Sequence, residues 1–206
     1  MNDVELLKEH CRFDNPDHVY VLLAVARKKD NETITNNTEV VFREVIKRET
    51  DIIRKYHKIC NALRNFRDDR DNSFNFYLYV TVNPRDCIKA FFSLQHDFNS
   101  WLEQRLNGHD NENFKKIDGY WISALMKPES RGNRGLFLVD IDTKHVEPIR
   151  ELIKEHTIIV RENKTKNGYH LLVLPFDRQK LVGLPKNVEI KTDALFFINY
   201  FKKQEE

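Results

Sequence analysis

The first half of the chain alternates between continuous apolar runs and a segment with helical spacing. Residues 18–27 and 74–82 are runs rich in β-branched and aromatic side chains, each bounded by turn residues, and predict two buried strands. Between them, apolar residues recur at intervals of three, four or seven over residues 38–66. This spacing predicts one long helix with a single apolar face, and Thr38 is placed to cap it.

Two further helices follow the second strand. Asp86 lies directly after the turn residues Asn83 and Pro84 and predicts the N-cap of a helix over residues 86–106. Residues 114–126 predict a shorter helix.

The second half of the chain is richer in strands. Strands and helices alternate throughout, which predicts an α/β or α+β fold with a mixed sheet. We expect a single domain over residues 1–206, with an N-terminal α/β lobe over about 1–127 and a second lobe over about 134–201. The elements predicted after residue 134 are strands at 135–142, 157–161, 169–175 and 187–201 and a helix at 145–156.

Charge and cysteine content limit the classes of function. The formal net charge is only +2, so contact with a polyanion requires a local basic cluster rather than a strongly basic chain. The three cysteines are far apart and have no zinc-ligand spacing, which favours a reducing, cytoplasmic environment. No run approaches about 18 consecutive apolar residues, so we expect no membrane-spanning segment.

The first chemical signal is a pair of aspartates at the end of a predicted strand. Side chains two residues apart in a strand point the same way, so Asp140 and Asp142 share one face. Two neighbouring carboxylates repel each other unless a cation lies between them, and such oxygen ligands suit Mg²⁺ or Mn²⁺. The alternative is that the pair ends the strand and Thr143 caps the next helix.

The second signal is a turn followed by a histidine. Asn167 and Gly168 predict a hairpin turn, Lys166 lies in that turn, and His170 begins the next strand. An imidazole at this position can donate to a phosphate oxygen or act as an acid or base. The alternative is a solvated lysine-rich turn beside a half-buried strand histidine.

The third signal is an alternation of charge near the end of the chain. If residues 187–195 are extended, Glu189, Lys191 and Asp193 fall on one face. They supply either a third metal-facing acid with a basic neighbour or a plain amphipathic edge strand.

In this order, the three signals resemble the motifs of the archaeo-eukaryotic primase superfamily, which includes primase-polymerases. The family's motifs are a hydrophobic strand ending in two acids, a small-x-His motif and a hydrophobic-Asp motif. Residues 137–142 (FLVDID), Gly168-Tyr169-His170 and Val188-Glu189 are similar to them, with Glu in place of the usual Asp. The resemblance covers about residues 134–200, and the N-terminal half is similar only in general layout.

The resemblance implies an RRM-like catalytic lobe and a metal-dependent nucleotidyltransferase that extends a DNA or RNA 3′ end or synthesises primers. It implies nucleoside triphosphates and a DNA or RNA strand as partners, and a helicase or other replication protein as a further partner. The acids would bind Mg²⁺ or Mn²⁺, with Asp193 as an alternative third acid. The implied site consists of metal ligands Asp140, Asp142 and Glu189 and nucleotide-binding residues His170, Lys191, Lys166, Gly168, Arg134 and Arg85.

Two other functions fit the same residues. The acids could serve a metal-dependent nuclease or another phosphoesterase. The chain could also be a non-catalytic module that binds nucleic acid or nucleotides on the same fold.

Overall fold

The computed structural model describes residues 2–34, 39–109, 112–133, 135–181 and 183–203. Its strands form two sheets, and its helices cover them. In chain order these elements are α1 (Asp3–His10), β1 (His18–Ala26), β2 (Val40–Ile46), α2 (Ile52–Asn65), β3 (Phe76–Thr81), β4 (Arg85–Asp86), α3 (Cys87–Leu106), α4 (Ile117–Met126), β5 (Phe137–Ile141), α5 (Glu147–Lys154), β6 (Ile159–Lys164), β7 (Tyr169–Val173), β8 (Val188–Lys191) and β9 (Leu195–Phe201).

The first sheet has the strand order β2-β1-β3-β9, and the short β4 also pairs with β1. All nine residues of β1 are buried, because helices cover both faces of this central strand. Leu22 and Ala24 face the main core with α1 and α2, whereas Val19 and Val21 pack with Ala124 and its neighbours on the helical pair α3–α4. This two-sided burial explains why β1 is a continuous apolar run rather than an alternating one.

The second sheet has the order β6-β7-β5-β8. Its two faces differ. Val139 and Ile141 of β5 pack with Leu171 of β7 against α5, forming a separate apolar cluster. Leu138 and Leu172 point the other way, into the main core that the first sheet shares. The chain leaves the second sheet at β8 and enters the first at β9, so the two sheets are joined by both the core and the chain path.

The fold is α+β, as expected, but the expected mixed sheet was wrong for the described strands. Every ladder in the two sheets is antiparallel. β5 and β6 are joined through α5, but β7 lies between them and pairs antiparallel with both. The alternation of strands and helices therefore does not produce adjacent parallel strands here.

Most predicted elements are confirmed with small shifts of their ends, and Asp86 caps α3 by accepting hydrogen bonds from Ile88 N and Lys89 N. The long helix predicted over residues 38–66 was wrong in its first third. Residues 40–46 form β2, the antiparallel edge partner of β1, and α2 begins only at Ile52. The run is rich in β-branched residues, and pairing with β1 outweighs its partly helical spacing. Thr38 lies outside the described residues.

Three further findings complete the description. Helix α1 was missed, although Asn2 and Glu5 form a capping box that is readable from the sequence. No helix in the described part of the chain is long and apolar enough to cross a membrane. All three cysteines are reduced thiols.

Candidate active site

The central feature of the site is a row of three polar side chains on neighbouring strands of the second sheet. Asp140 on β5 lies directly opposite His170 on β7 and directly opposite Glu189 on β8. Residues opposite each other in antiparallel strands project from the same face of the sheet. The fold therefore brings together one residue from each of the three sequence motifs.

Lys191 supplies the positive charge between the two acids of this row. Its Nζ lies 2.8 Å from Asp140 Oδ2 and 3.0 Å from Glu189 Oε2. The hydrogen bond from His170 and then that from Lys191 hold the pKa of Asp140 far below its usual range, against the effect of burial. Burial lowers the pKa of Lys191, but its contacts with Asp140 and Glu189 outweigh this and raise it. An internal ammonium thus relieves the repulsion between Asp140 and Glu189.

His170 is held in one tautomer by the first sheet. The backbone N–H of Phe197 on β9 donates to His170 Nδ1 at 3.1 Å, so that nitrogen is unprotonated and Nε2 carries the proton. His170 Nε2 lies 3.3 Å from Asp140 Oδ1. The imidazole is only 7% exposed, and it lines the cleft described below rather than being enclosed by the core.

The contact with Phe197 depends on an irregularity in β9. The register between β3 and β9 shifts between Leu78 and Tyr79, which leaves Ile198 as an extra residue. Asn163, the neighbour of His170 across β6 and β7, donates from Nδ2 to Phe197 O at 2.7 Å. Both backbone polar groups of Phe197 are therefore bound by side chains of the second sheet.

Gly168 has a packing role that the sequence did not reveal. A Cβ atom on this residue would lie 1.7 Å from the carbonyl oxygen of Ile141, which is backbone and cannot rotate away. The turn before His170 thus packs directly on the end of the Asp140 strand. This contact explains the small residue of the second motif without any nucleotide.

The row opens into a cleft of about 370 Å³ between the two sheets, a size that suits a small-molecule ligand. Its walls combine acids and cations with aromatic rings from the first sheet. The residues that carry this character are Arg27, Lys29, Tyr77, Tyr79, Asp140, Asp142, Lys166, His170, Lys191, Asp193 and Phe197.

Arg27, Tyr77 and Tyr79 are site residues that the sequence reasoning missed. Arg27 donates from Nη2 to the Tyr79 hydroxyl at 2.6 Å, and its guanidinium carbon lies 5.1 Å from the Tyr77 ring centroid. Burial raises the pKa of Tyr79 to about 12, although the Arg27 charge opposes the shift. The available signal was the two-residue spacing of the tyrosines, which puts both rings on one face of β3.

The remaining acid of the first motif lies just beyond β5. Asp142 is exposed, lines the cleft, and is fixed through its backbone N–H, which donates to Asn187 O at 2.8 Å. Among the described residues, no three His, Cys, Asp or Glu side chains already form a metal-ligating group. The donor chemistry nevertheless fits a divalent cation, because Asp140 and Asp142 line the cleft and Lys191 already places a positive charge between Asp140 and the neighbouring Glu189.

Two of the predicted site residues are occupied with each other. Arg85 is 2% exposed, and its Nη1 and Nη2 donate to Asp193 Oδ2 and Oδ1 at 2.7 and 3.0 Å. The structure therefore contradicts Arg85 as a phosphate contact, because its guanidinium is buried on a carboxylate. For the same reason Asp193, although beside the cleft, does not offer free oxygens as a third acid.

The other predicted cations differ in their surroundings. Lys166 lies at the cleft with its Nζ 2.6 Å from Asp30 Oδ1, so it is already paired with an acid from the loop after β1. Arg134 lies outside the described residues.

The chain was also compared with known proteins by sequence and by structure. No protein-family model, no curated protein sequence and no solved structure matches it.

Proposed function

We propose that this chain is a divalent-metal-dependent nucleotidyltransferase of primase-polymerase type, which adds nucleotides to a DNA or RNA 3′ end or synthesises primers. The observation that carries the proposal is the row formed by Asp140, His170 and Glu189. Asp140 and His170 line the cleft, and Glu189 lies directly beside Asp140 in the same row, so one residue from each of the three motifs supports the proposal.

The metal-holding groups would be the carboxylates of Asp140, Asp142 and Glu189. A bound Mg²⁺ or Mn²⁺ would lower the pKa of an attacking hydroxyl and offset the charge of the phosphates. Lys191 holds the carboxylates of Asp140 and Glu189 together when no divalent cation lies between them. Released from them, its ammonium is free to pair with a phosphate oxygen of the nucleotide.

His170 acts as a hydrogen-bond donor in this proposal. Phe197 N–H occupies Nδ1, so the proton on Nε2 points toward Asp140 and the cleft. A phosphate oxygen that enters the cleft can accept this hydrogen bond. Because His170 is fixed from behind, donation costs little reorganisation of the imidazole.

The first sheet supplies the opposite wall of the cleft. Tyr77 and Tyr79 line this wall with rings that are largely buried, and Arg27, which lies over both rings, is an additional cation for phosphate. A site with acids at one wall and cations with aromatic rings at the other matches the chemical make-up of a metal-bound nucleotide.

The test is an incorporation assay with a labelled primer on a template, deoxy- or ribonucleoside triphosphates, and Mn²⁺ or Mg²⁺. The double variant Asp140→Asn with Asp142→Asn should lose incorporation by about 10³-fold or more. The matched control is Asp118→Asn, an exposed acid on α4 away from the cleft, which should keep full activity.

Two outcomes would reject the proposal. Full incorporation by the double aspartate variant would show that these acids do not hold the catalytic metal. Metal-dependent cleavage of the labelled strand without nucleotides, lost in the same variant, would assign the site to a nuclease.

A further inference from the structure

Two more concavities continue the cleft along the surface of the first sheet. A depression of about 770 Å³ shares Lys29 and Lys166 with the cleft. A third depression, of about 260 Å³, shares Arg67 and Tyr200 with the second. Because neighbouring depressions have lining residues in common, the three adjoin one another in a series from the cleft to the end of α2, which we treat as one groove.

The part of this groove outside the cleft carries a local excess of positive charge, although the chain as a whole is nearly neutral. Three acids, Asp30, Glu32 and Asp71, line the same surface, and Asp30 is already paired with Lys166. We call this surface the basic groove; its cations are Lys29, Arg64, Arg67, Lys166, Lys202 and Lys203.

An aromatic ring lies where the cleft meets the basic groove. The Tyr200 ring centroid is 4.8 Å from that of Tyr77, and Lys166 Nζ lies 5.0 Å from the Tyr200 ring. Cations beside accessible rings are the combination that binds single-stranded nucleic acid, because phosphates pair with the cations and unpaired bases stack on the rings. A duplex, whose bases are already paired and stacked, does not use such rings.

We propose that the basic groove binds a single-stranded segment of nucleic acid whose end lies in the cleft. The placement of the end rests on the proposed function, but binding in the groove does not require catalysis. Lys202 and Lys203 are the outermost cations and are both exposed, so they would contact phosphates several nucleotides away from the cleft. The affinity for a strand should therefore depend on its length.

The test is fluorescence anisotropy with a labelled 12-nucleotide oligo-dT in EDTA, with no metal or nucleotide present. The double variant Lys202→Glu with Lys203→Glu should bind about 10-fold more weakly at low salt. Its plot of log affinity against log salt should be shallower by about 1.4, because two single-strand phosphate contacts are lost and each removes about 0.7 from the slope. A 3-nucleotide strand should bind both proteins equally.

The matched control reverses the same number of exposed lysines elsewhere. Lys180→Glu with Lys186→Glu changes the net charge equally, on the segment between β7 and β8, and should leave the affinity unchanged. Equal weakening by the two double variants would overturn the proposal, since it would show that only net charge matters. Tighter binding of a 12-base-pair duplex than of the single strand would also overturn it.

The groove and the proposed catalysis fail separately in these experiments. If Asp140→Asn with Asp142→Asn binds the 12-nucleotide strand as the unmodified protein does, and incorporation is absent from both, the groove stands and the nucleotidyltransferase proposal falls. If incorporation occurs but the lysine variant binds normally, the groove proposal falls and the activity stands.

Discussion

Two acid–cation pairs border the same cleft, and they differ in how the cation is held. Asp193 and Arg85 form two parallel hydrogen bonds, with the Arg85 side chain 2% exposed. Asp140 and Lys191 form a single contact, and the Lys191 side chain is 33% exposed. Lys191 also shares its charge with Glu189, whose side chain is 70% exposed.

We call the buried ion pair of Arg85 and Asp193 the clasp, and its role is structural. We call Asp140 and Lys191 the exchangeable pair, because we propose that another cation replaces the lysine. The planar guanidinium of Arg85 satisfies both carboxylate oxygens at once and is shielded from water, so no other cation can compete for Asp193. The ammonium of Lys191 is a point charge on a flexible stem within reach of solvent. Under the proposed function, a divalent cation takes the place of this ammonium between Asp140 and Glu189, and the lysine is released to bind substrate.

The largest expected effect comes from breaking the clasp. Asp193→Ala should lower the free energy of unfolding by about 3–5 kcal/mol, because it leaves the Arg85 charge buried and unpaired. Urea denaturation followed by circular dichroism measures this change. Asp140→Asn should cost less stability, since its single amide oxygen can still accept from either His170 or Lys191, although the amide nitrogen then faces the other donor.

A double substitution serves as the control for the clasp. Asp193→Leu combined with Arg85→Met removes both charges and keeps apolar volume, so it should recover most of the lost stability. A loss below about 1 kcal/mol in Asp193→Ala would show that Arg85 finds another partner. The comparison between the two pairs would then fail.

The next prediction tests the packing contact that aligns His170 with Asp140. Gly168→Ala should cost about 1–3 kcal/mol, because the new methyl group would meet the Ile141 carbonyl and push β7 away from β5. The same shift should move His170 from Asp140 and reduce incorporation, while the Arg85–Asp193 clasp stays intact. Gly119→Ala is the control, since its Cβ has open space in α4 and should stabilise the helix by up to about 1 kcal/mol. Equal effects of the two substitutions would refute the packing argument.

The row of Asp140, His170 and Glu189 was within reach of the sequence because each residue belongs to a short strand with a readable local pattern. The two-residue period assigns faces, and the hairpin turn before His170 indicates which strands are neighbours. The register that sets these three residues opposite one another is a tertiary result, and only the family resemblance pointed to it.

The clasp and the aromatic wall were not predictable in the same way. Arg85 and Asp193 are 108 residues apart, and no local pattern reports such a contact. Tyr77 and Tyr79 lie in a strand whose residues are all buried, so its sequence does not distinguish side chains that line a cleft from side chains in the core. Strand β2 was taken for helix because its role as an edge partner of β1 depends on the sheet and not on its own spacing.

Replacing Lys191 should have a smaller effect on stability, and this effect should depend on whether a divalent cation is present. Lys191→Met should destabilise the protein by about 1–2 kcal/mol in EDTA, because Asp140 and Glu189 are left side by side without a counter-charge. Mn²⁺ should restore this stability and raise the thermal midpoint more than it does in the unmodified protein, since it no longer competes with the ammonium. Thermal unfolding with and without Mn²⁺ measures both.

The clasp variant is the reference for this experiment. Mn²⁺ should not rescue Asp193→Ala, because the group left unpaired there is a cation. An identical Mn²⁺ response in Lys191→Met and the unmodified protein would show that no metal binds between Asp140 and Glu189, and Lys191 would then be structural in the same sense as Arg85.

The smallest effect concerns a third pair, Lys166 with Asp30, at the junction of the cleft and the basic groove. Burial raises the pKa of Asp30, but the hydrogen bonds with Lys166 and Tyr77, together with the charges of Lys166 and Lys29, outweigh it and lower that pKa, while the hydrogen bond to Asp30 raises the pKa of Lys166. The contribution of Asp30 is thus present above its unfolded pKa of about 3.9 and is lost as pH falls through the lower folded value. That of Lys166 is present below about pH 10.4 and is lost as pH rises through its higher folded value.

The stability difference between the unmodified protein and Lys166→Met should be about 1 kcal/mol, because Lys166 is 41% exposed. This difference should be constant from about pH 5 to 9 and should shrink as acid is added. Urea denaturation across this pH range checks it, and a difference that stays constant in acid would mean that the lysine acts through its packing on Tyr200 rather than through its pairing with Asp30.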